Sequence, residues 1–214
     1  MNSMNQSAAE IICEYGPFPG TQKVAGVTYD GQNVWFASGD KLNVLDPASG
    51  QMLRSIDAAA KAGTAFDGQH LYQVNEGCIQ KIDPKTGDVL ATIQVPGDGY
   101  SGLAWAEGSL WVGQYEDRKI HQVDPQTGAI LRTIETKRFV TGVTWVDREL
   151  WHGTWDDDGS DLNRIDPQTG EILERLEMPA GVGVSGLESD GGDRFFCGGG
   201  DSGKLRIVRR RKQG

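Results

Sequence analysis

Short runs of alternating apolar and polar residues, separated by glycine-rich turns, recur along the whole chain. The clearest set comprises the runs 101–105, 110–113, 119–123 and 130–134. Runs of this length and alternation predict β-strands, and the short polar segments between them predict turns and loops. This stretch therefore predicts a unit of four consecutive antiparallel strands.

A turn motif of the form D-P-x-T/S-G follows the third run of this unit. Its aspartate can cap the turn with side-chain hydrogen bonds, its proline fixes φ, and its glycine accepts a positive φ. The motif recurs at intervals of about forty residues, a period typical of propellers, solenoids and arrays. Four antiparallel strands per unit are typical of a propeller blade. The copies begin at Asp46, Asp83, Asp124 and Asp166.

Two further positions repeat with the motif. Each predicted first strand contains a glycine, which is expected where backbones crowd together near a central axis. Each predicted second strand opens with an aromatic residue, which we expect to pack between adjacent blades. The glycines are Gly26, Gly63, Gly102, Gly142 and Gly186. The aromatic residues are Trp35, Tyr72, Trp111, Trp151 and Phe195.

The last unit is incomplete, because residues 204–208 are followed by neither the turn motif nor a fourth strand. Residues 10–15 match the sequence of the fourth strand at 171–176, so the missing strand is predicted near the N-terminal end of the chain. The sequence therefore predicts an all-β protein, a five-bladed β-propeller with four antiparallel strands per blade. Its N-terminal strand would close the last blade and leave no exposed blade edge there. The alternative is an open solenoid, which would need polar capping repeats at both ends.

The domain boundaries follow from this pattern. Residues 9–208 are predicted to form a single propeller domain, with a disordered N-terminus at 1–8 and a basic tail at 209–214. The tail would be a solvated chain end or, alternatively, an arm that contacts nucleic acid or a membrane.

Composition narrows the classes of partner. A net charge of −9 argues against general nucleic-acid binding, which requires a cationic surface. No apolar run reaches transmembrane length, and the first residues lack the pattern of a secretory leader. We therefore expect a cytoplasmic monomer that binds a small molecule or a peptide terminus, and neither nucleic acid nor a membrane.

Candidate binding residues lie in the loops that enter each first strand and in those between the second and third strands. In a propeller these loops share one face and surround the mouth of the axial channel, where variable loops usually carry function. Arg138 could bind a carboxylate through its two-pronged guanidinium, or it could form salt bridges within the rim. The predicted ligand-binding residues are Tyr100, Tyr115, Asp117, Arg138, Phe139 and Trp155.

The most acidic loop spans residues 155–161. Clustered carboxylates suit calcium or magnesium, so Asp156 and Asp158 are candidate metal ligands, although the spacing is not that of an EF-hand. The alternative is a solvated turn without a metal. No other cofactor is expected, since the three histidines fall in different blades.

Two stretches resemble a known family. Residues 10–15, followed by a loop with prolines and by residues 25–31, are similar to the start of plant-type glutaminyl-peptide cyclotransferases. Residues 97–103 resemble that family's Gly-Glu-Gly-Trp-Gly-Leu-Thr stretch, with Asp98 as the acidic residue. The resemblance implies a five-bladed propeller closed by its N-terminal strand. The repeats also resemble those of streptogramin-B lyase-like propellers, which have seven blades and a histidine-dependent site.

The sequence differs from the cyclotransferases where the first blade begins. Residues 23–27 replace the family's Phe-Thr-Gln/Glu-Gly-Leu and carry no acid or amide side chain. Binding of a small polar molecule or peptide end at the channel mouth is therefore the first hypothesis. An aminoacyl cyclase is the alternative, with Asp98 and Glu76 as the catalytic carboxylates that move the proton. A protein-interaction scaffold is the third.

Overall fold

The computed structural model describes residues 5–156 and 159–211 and forms a five-bladed β-propeller. It confirms the predicted all-β fold. In chain order the strands are β1 (Asn5–Ala8), β2 (Ile11–Tyr15), β3 (Val27–Tyr29), β4 (Val34–Leu45), β5 (Met52–Ala60), β6 (Thr64–Phe66), β7 (Leu71–Asn75), β8 (Cys78–Ile82), β9 (Val89–Gln94), β10 (Tyr100–Ala106), β11 (Ser109–Gln114), β12 (Lys119–Val123), β13 (Ile130–Glu135), β14 (Val143–Val146), β15 (Glu149–Gly153), β16 (Asp161–Ile165), β17 (Ile172–Glu177), β18 (Leu187–Ser189), β19 (Arg194–Gly198) and β20 (Leu205–Arg209).

Each sheet is one blade. Blade 1 contains β3-β4-β5, blade 2 contains β6-β7-β8-β9 and blade 3 contains β10-β11-β12-β13. Blade 4 contains β14-β15-β16-β17 with β1 beyond it, and blade 5 contains β18-β19-β20-β2. No described segment of the chain is a helix long and apolar enough to cross a membrane.

The ring is closed by the N-terminal strand, as predicted. Strand β2 pairs antiparallel with β20, placing Cys13 opposite Ile207 and Tyr15 opposite Leu205. The Tyr15 hydroxyl donates a hydrogen bond of 2.7 Å to the carbonyl of Pro47 in the neighbouring blade. The first and last parts of the chain therefore share blade 5.

Blade 1 has three strands where four were predicted. Its predicted second and third strands merge into the single 12-residue strand β4. Strand β3 (Val27–Tyr29) pairs with the first part of β4, and β5 (Met52–Ala60) pairs with the rest. The pairing register shifts between Gly39 and Lys41, and Gly39 has a φ of 68°. A glycine bend therefore replaces the loop that separates these strands in other blades.

The N-terminal segment differs from the expectation of disorder. Asn5–Ala8 forms β1 and pairs in parallel with β17, and the side-chain amide of Gln6 donates to Glu177 Oε1 at 2.7 Å. The outer edge of β17 would otherwise leave its backbone groups unpaired, and β1 satisfies part of them. Residues 1–4 lie outside the described residues.

The first two residues of the basic tail also differ from the expectation of a solvated chain end, whereas Arg211 is exposed and residues 212–214 lie outside the described residues. Arg209 is the last residue of β20, and Arg210 is only 3% exposed. The Arg210 guanidinium donates to Asp147 Oδ2 at 2.7 Å and to Glu149 Oε2 at 2.9 Å, both in blade 4. Although burial alone would lower it, these hydrogen bonds raise the pKa of Arg210. Arg210 therefore joins the last two blades.

The repeated glycines bring the innermost strands into backbone contact. At Gly26, a Cβ atom would lie 2.3 Å from the carbonyl oxygen of Ala62 in the next blade, and at Gly186 it would lie 2.4 Å from that of Ala25. A Cβ on each of the three other glycines would likewise lie within 3 Å of a backbone atom in the next blade. The nearest backbone belongs to Leu103 for Gly63, to Val143 for Gly102 and to Leu187 for Gly142. Any side chain here would force the blades apart, so glycine sets the radius of the ring.

The hydrophobic core is divided among the five interfaces between blades. Each of the five buried apolar clusters combines residues of two adjacent blades. The aromatic residues of the second strands lie there, as predicted: Trp111 stacks on Trp145 with ring centroids 4.8 Å apart, and Tyr72 stacks on Trp105 at 5.4 Å. Each blade is therefore stabilised mainly by its neighbours.

The D-P-x-T-G motifs form the predicted turns and also contact the preceding blade. In the third copy, the Gly128 amide donates to the carbonyl of Asp124 at 2.9 Å, and Gly128 has a φ of 75°. A Cβ on Gly128 would lie 1.9 Å from the carbonyl oxygen of Gln94, on the outer strand of blade 2. This glycine is therefore required both by the turn and by the interface.

Substitution of Gly128 by alanine should separate these two roles. Gly108 is a matched control, because its φ is 71° and a Cβ there would meet nothing within 4 Å. We expect Gly108→Ala to cost about 1 kcal/mol of unfolding free energy through backbone strain alone. Gly128→Ala should cost about 2 kcal/mol more, because it also overpacks the interface. Urea unfolding measures both, and equal losses would contradict the interface role.

Candidate functional site

The loops that enter the first strands and those between the second and third strands surround a cavity of about 400 Å³ on the propeller axis. We call it the axial cavity. Its floor takes one small residue from each blade, the residue that precedes the repeated glycine. These residues are Ala25, Ala62, Ser101, Thr141 and Ser185.

Hydroxyl groups on the floor differ in their hydrogen bonding. Ser101 Oγ donates to the carbonyl of Val140 at 2.6 Å, and Ser185 Oγ donates to that of Val24 at 2.5 Å, each in the next blade. Thr141 Oγ1 has no partner among the described residues, although Thr141 is only 7% exposed. Because a buried hydroxyl without a hydrogen bond is costly, this group is suited to bonding a ligand or water.

Three aromatic residues form one wall of the axial cavity: Tyr100, Tyr115 and Trp155. The Tyr115 hydroxyl donates to the carbonyl of Trp155 at 2.7 Å, and its ring stacks on Phe139 with centroids 4.8 Å apart. The Tyr100 hydroxyl donates to the carbonyl of Pro96. Burial and, to a smaller extent, the charge of Asp98 raise the pKa of Tyr100, so it is a neutral donor.

Trp155 owes its position to two glycines. A Cβ on Gly183 would lie 2.1 Å from the Trp155 ring, and one on Gly200 would lie 2.9 Å from it. The ring therefore packs closely against the bare backbone of both glycines, and Trp155 remains 40% exposed. An exposed indole at the edge of a cavity offers both an apolar face and a hydrogen-bond donor.

The charged lining residues of the axial cavity are Lys23, Lys61 and Asp201. Lys23 Nζ lies 3.9 Å from Asp201 Oδ1, and both side chains are largely exposed. Lys61 forms no ion pair with any residue in the described ranges. The lining of the axial cavity therefore contains two positive charges and one negative charge, on a chain whose net charge is −9.

These three charged residues were not among the predicted site residues. Their loops were identified as part of the rim, but the direction of a loop side chain cannot be read from repeat spacing. The floor residues carry a clearer signal, because each directly precedes a repeated glycine.

Two predicted carboxylates lie outside the axial cavity. Asp98 and Asp117 line a separate depression of about 200 Å³, together with Gln114, whose side-chain amide donates to the carbonyl of Asp98 at 2.7 Å. Glu76 is exposed in the turn between β7 and β8, with a φ of 43°. It lines neither the depression nor the axial cavity.

Arg138 and Phe139 lie behind the aromatic wall and do not line the axial cavity. Arg138 Nη2 donates to Asp156 Oδ1 at 3.0 Å, and its Nε lies 3.6 Å from Asp161 Oδ2. Burial raises the pKa of Asp161, although Arg138 and Arg175 oppose this rise. Arg138 thus forms the rim salt bridges considered as its alternative role.

The predicted metal ligands are only partly described. Asp156 is paired with Arg138, and Asp158 lies outside the described residues. Among the residues that the structure describes, no three His, Cys, Asp or Glu side chains are grouped to hold a metal ion. The Asp156–Asp158 site stays a prediction.

A second cavity of about 450 Å³ adjoins the axial cavity. It lies between the loop that contains Gly20 and Gln22 and the bend of β4 at Ser38–Asp40. Lys23, Ala25 and Lys61 line both cavities, so the two meet along these residues.

Comparison of the sequence with protein-family models and with curated proteins finds no match. Solved structures do match the fold. A glutaminyl cyclase from Myxococcus xanthus superposes with a TM-score of 0.80 and 20% sequence identity, over 97% of this chain and 98% of that one. The chain therefore has a glutaminyl-cyclase-like propeller fold.

The hydrazine synthase of Kuenenia stuttgartiensis is a more distant match. Its TM-score is 0.53 at 18% identity, over 83% of this chain and 55% of that one. At such identities the likeness concerns the fold alone, since one fold can carry unrelated functions.

Proposed function

We propose that the axial cavity binds a small polar molecule or the end of a peptide. One observation carries the proposal: an aromatic wall converges on the axis with Lys61, which has no ion pair among the described residues, and with the buried Thr141 hydroxyl, which has no hydrogen bond among them. Ligand sites are typically concave and aromatic-lined, with a few polar groups that fix orientation. The volume of about 400 Å³ suits a molecule of one or two amino-acid residues.

Three derivatives of phenylalanine test this proposal. N-acetylphenylalanine, phenylalanine amide and N-acetylphenylalanine amide have the same ring and differ in charge. At least one should raise the melting temperature and quench the fluorescence of Trp155. At 100 times its Kd, a ligand stabilises the folded state by about 2.7 kcal/mol.

Two substitutions assign the binding to the axial cavity. Trp155→Ala and Thr141→Val should each weaken binding by about tenfold. The first substitution removes an aromatic contact, and the second removes a hydrogen bond. Trp145→Phe is the control, because Trp145 packs between blades against Trp111. Failure of all three compounds to bind, or binding unchanged in both cavity variants, would contradict the proposal.

A glutaminyl-cyclase activity is the second candidate, favoured by the 0.80 TM-score to a protein described as a glutaminyl cyclase. In that reaction the N-terminal amine bonds to the side-chain amide carbon of glutamine, and ammonia leaves. A carboxylate would take the proton from the amine and return it to the leaving nitrogen. Of the described residues that line the axial cavity, only Asp201 supplies a carboxylate, whereas Asp98 lies beyond Tyr115 in the side depression.

Release of ammonia from a glutaminyl dipeptide tests the second candidate. Asp201→Asn and Asp98→Asn should distinguish the two carboxylates, because the essential one should lower kcat by at least 100-fold. Glu76→Asn serves as the third variant, since Glu76 lines neither site. No ammonia release by the unmodified protein would remove the enzymatic function.

A further inference from the structure

The axial and second cavities adjoin each other, and we call the two together the passage. Lys23, Ala25 and Lys61 line both cavities, so these residues form the boundary that a ligand occupying both would cross. A ligand held against the aromatic wall could therefore continue outward across blade 1 without leaving the surface. This inference rests on the proposed function and concerns the chemical class of its ligand.

Both shared charged residues are lysines. Lys61 has no ion-pair partner in the described ranges, and the 3.9 Å contact of Lys23 with Asp201 joins side chains that are 57% and 87% exposed. Such an exposed pair is weak and is readily exchanged for a better anion. The junction of the cavities therefore favours a negatively charged group and disfavours an ammonium group.

Apart from the two shared lysines and the exposed carboxylate of Asp40, the second cavity offers neutral hydrogen-bonding groups. Ser38 Oγ accepts a hydrogen bond of 2.9 Å from the side-chain amide of Asn43, so its own proton remains available for donation. Gln22 adds an amide with both donors and an acceptor. Gly20 and Gly39 present bare backbone with open space beside it. Groups of this kind match the N–H and C=O groups of a peptide chain.

We infer that the ligand is a peptide whose C-terminal carboxylate lies between Lys23 and Lys61, with its last side chain against the aromatic wall and its preceding residues in the second cavity. A polyanion such as nucleic acid fits less well, because the chain carries a net charge of −9 and the two lysines of the passage are accompanied by two carboxylates, Asp40 and Asp201. An N-terminal amine fits less well, because both charged residues shared by the two cavities are lysines, which repel an ammonium group.

A matched set of peptides tests both parts of the inference. The probes are N-acetyl-Phe, N-acetyl-Gly-Gly-Phe and N-acetyl-Gly-Gly-Gly-Gly-Phe, each as the free acid and as the C-terminal amide. Calorimetry should show that each acid binds at least tenfold more tightly than its amide. The three-residue acid should bind at least fivefold more tightly than the one-residue acid.

Three variants assign these effects to the two cavities. Lys61→Met should remove the preference for the acid, while Lys41→Met should not, because Lys41 lies outside both cavities and is paired with Asp57 at 2.7 Å. Gln22→Trp should fill the second cavity, removing the gain with length and leaving the affinity for N-acetyl-Phe unchanged.

The outcomes separate this inference from the proposed function. The inference would be overturned if acids and amides bound with equal affinity, or if affinity did not change with peptide length. Because the peptides would still bind, the proposed function would be upheld in both cases. If none of the six peptides binds, the inference is overturned, and the proposed function is overturned as well when phenylalanine amide also fails to bind. An acid preference that survives in Lys61→Met would also overturn the inference.

Discussion

Deletion of residues 1–15 is expected to abolish the cooperative unfolding of this protein, whereas deletion of residues 1–8 is expected to preserve it. The longer deletion removes β2, the outer strand of blade 5, and leaves the buried strand β20 paired on one side only, with β19. It also takes Ile11, Cys13 and Tyr15 away from the apolar clusters on both sides of that blade. The loss should exceed about 4 kcal/mol, a large part of the stability of a typical domain.

The shorter deletion is the matched control for the longer one. It removes β1, which adds to the outside of blade 4 and whose residues are almost all exposed. We expect a loss within about 1 kcal/mol. Calorimetry and urea unfolding of both proteins provide the comparison. A cooperative transition of near-normal midpoint in the protein lacking residues 1–15 would show that the ring does not depend on its shared blade.

The second large effect is expected at Glu188 and concerns how the stability of the protein depends on pH. Its side chain lies among the innermost strands, where Thr144 Oγ1 donates to its Oε1 at 2.6 Å and Thr28 Oγ1 donates to its Oε2 at 3.0 Å. Its Oε1 also accepts a bond of 2.8 Å from the amide of Ser189. No lysine or arginine of the described residues forms an ion pair with it. Burial raises the pKa of Glu188 to about 7, although the bonds from Thr144, Ser189 and Thr28 oppose the rise.

This raised pKa makes the stability of the protein depend on pH. A carboxyl whose pKa is higher in the folded than in the unfolded state favours folding when it is protonated. The benefit is complete below the ordinary value of 4.5 and is lost as pH rises through about 7. Since a tenfold change in proton affinity corresponds to about 1.4 kcal/mol, the loss over this range is about 3 kcal/mol.

Glu188→Gln is therefore expected to gain stability relative to the unmodified protein as pH rises. Glutamine keeps an acceptor for one threonine hydroxyl, and the other hydroxyl can rotate to accept from the new amide. The difference in unfolding free energy should move in favour of the variant by about 3 kcal/mol between pH 4.5 and pH 8. Urea unfolding across this range measures it.

Glu171→Gln is the control for the loss of a carboxylate, because Glu171 is exposed in the turn before β17. Its stability should follow that of the unmodified protein at every pH. A Glu188→Gln variant whose stability also runs parallel to that of the unmodified protein would contradict the raised pKa of the half-buried Glu188.

The architecture could be predicted because its determinants are local and repeated. The four turn motifs fix the hairpins, the glycines near each strand start reflect backbone contact at the axis, and the match between residues 10–15 and 171–176 reveals the shared blade. Features that occur once could not be predicted in the same way. Three such features are the merger of two strands into β4, the parallel pairing of β1 and the burial of Arg210. Each depends on contacts that occur in one blade only and leave no repeated pattern in the sequence.

The candidate site was predictable in part for the same reason. Tyr100, Tyr115 and Trp155 meet at one cavity because their loops belong to one face of the ring. Within that face, the position of a charged side chain depends on how its loop folds back. Asp98 turns into the side depression, whereas Lys61 and Asp201 face the axis. Sequence spacing does not determine these directions.

The sharing of blade 5 affects how the chain can be made. β2 leaves the ribosome before the strands of blades 1, 2 and 3, whereas its partner β20 leaves after them. The nascent protein must hold the apolar residues of β2 unpaired until then, and every other blade can assemble before they are covered. Chaperone capture should therefore concentrate on the N-terminal segment of ribosome-bound chains and end once residue 209 has emerged.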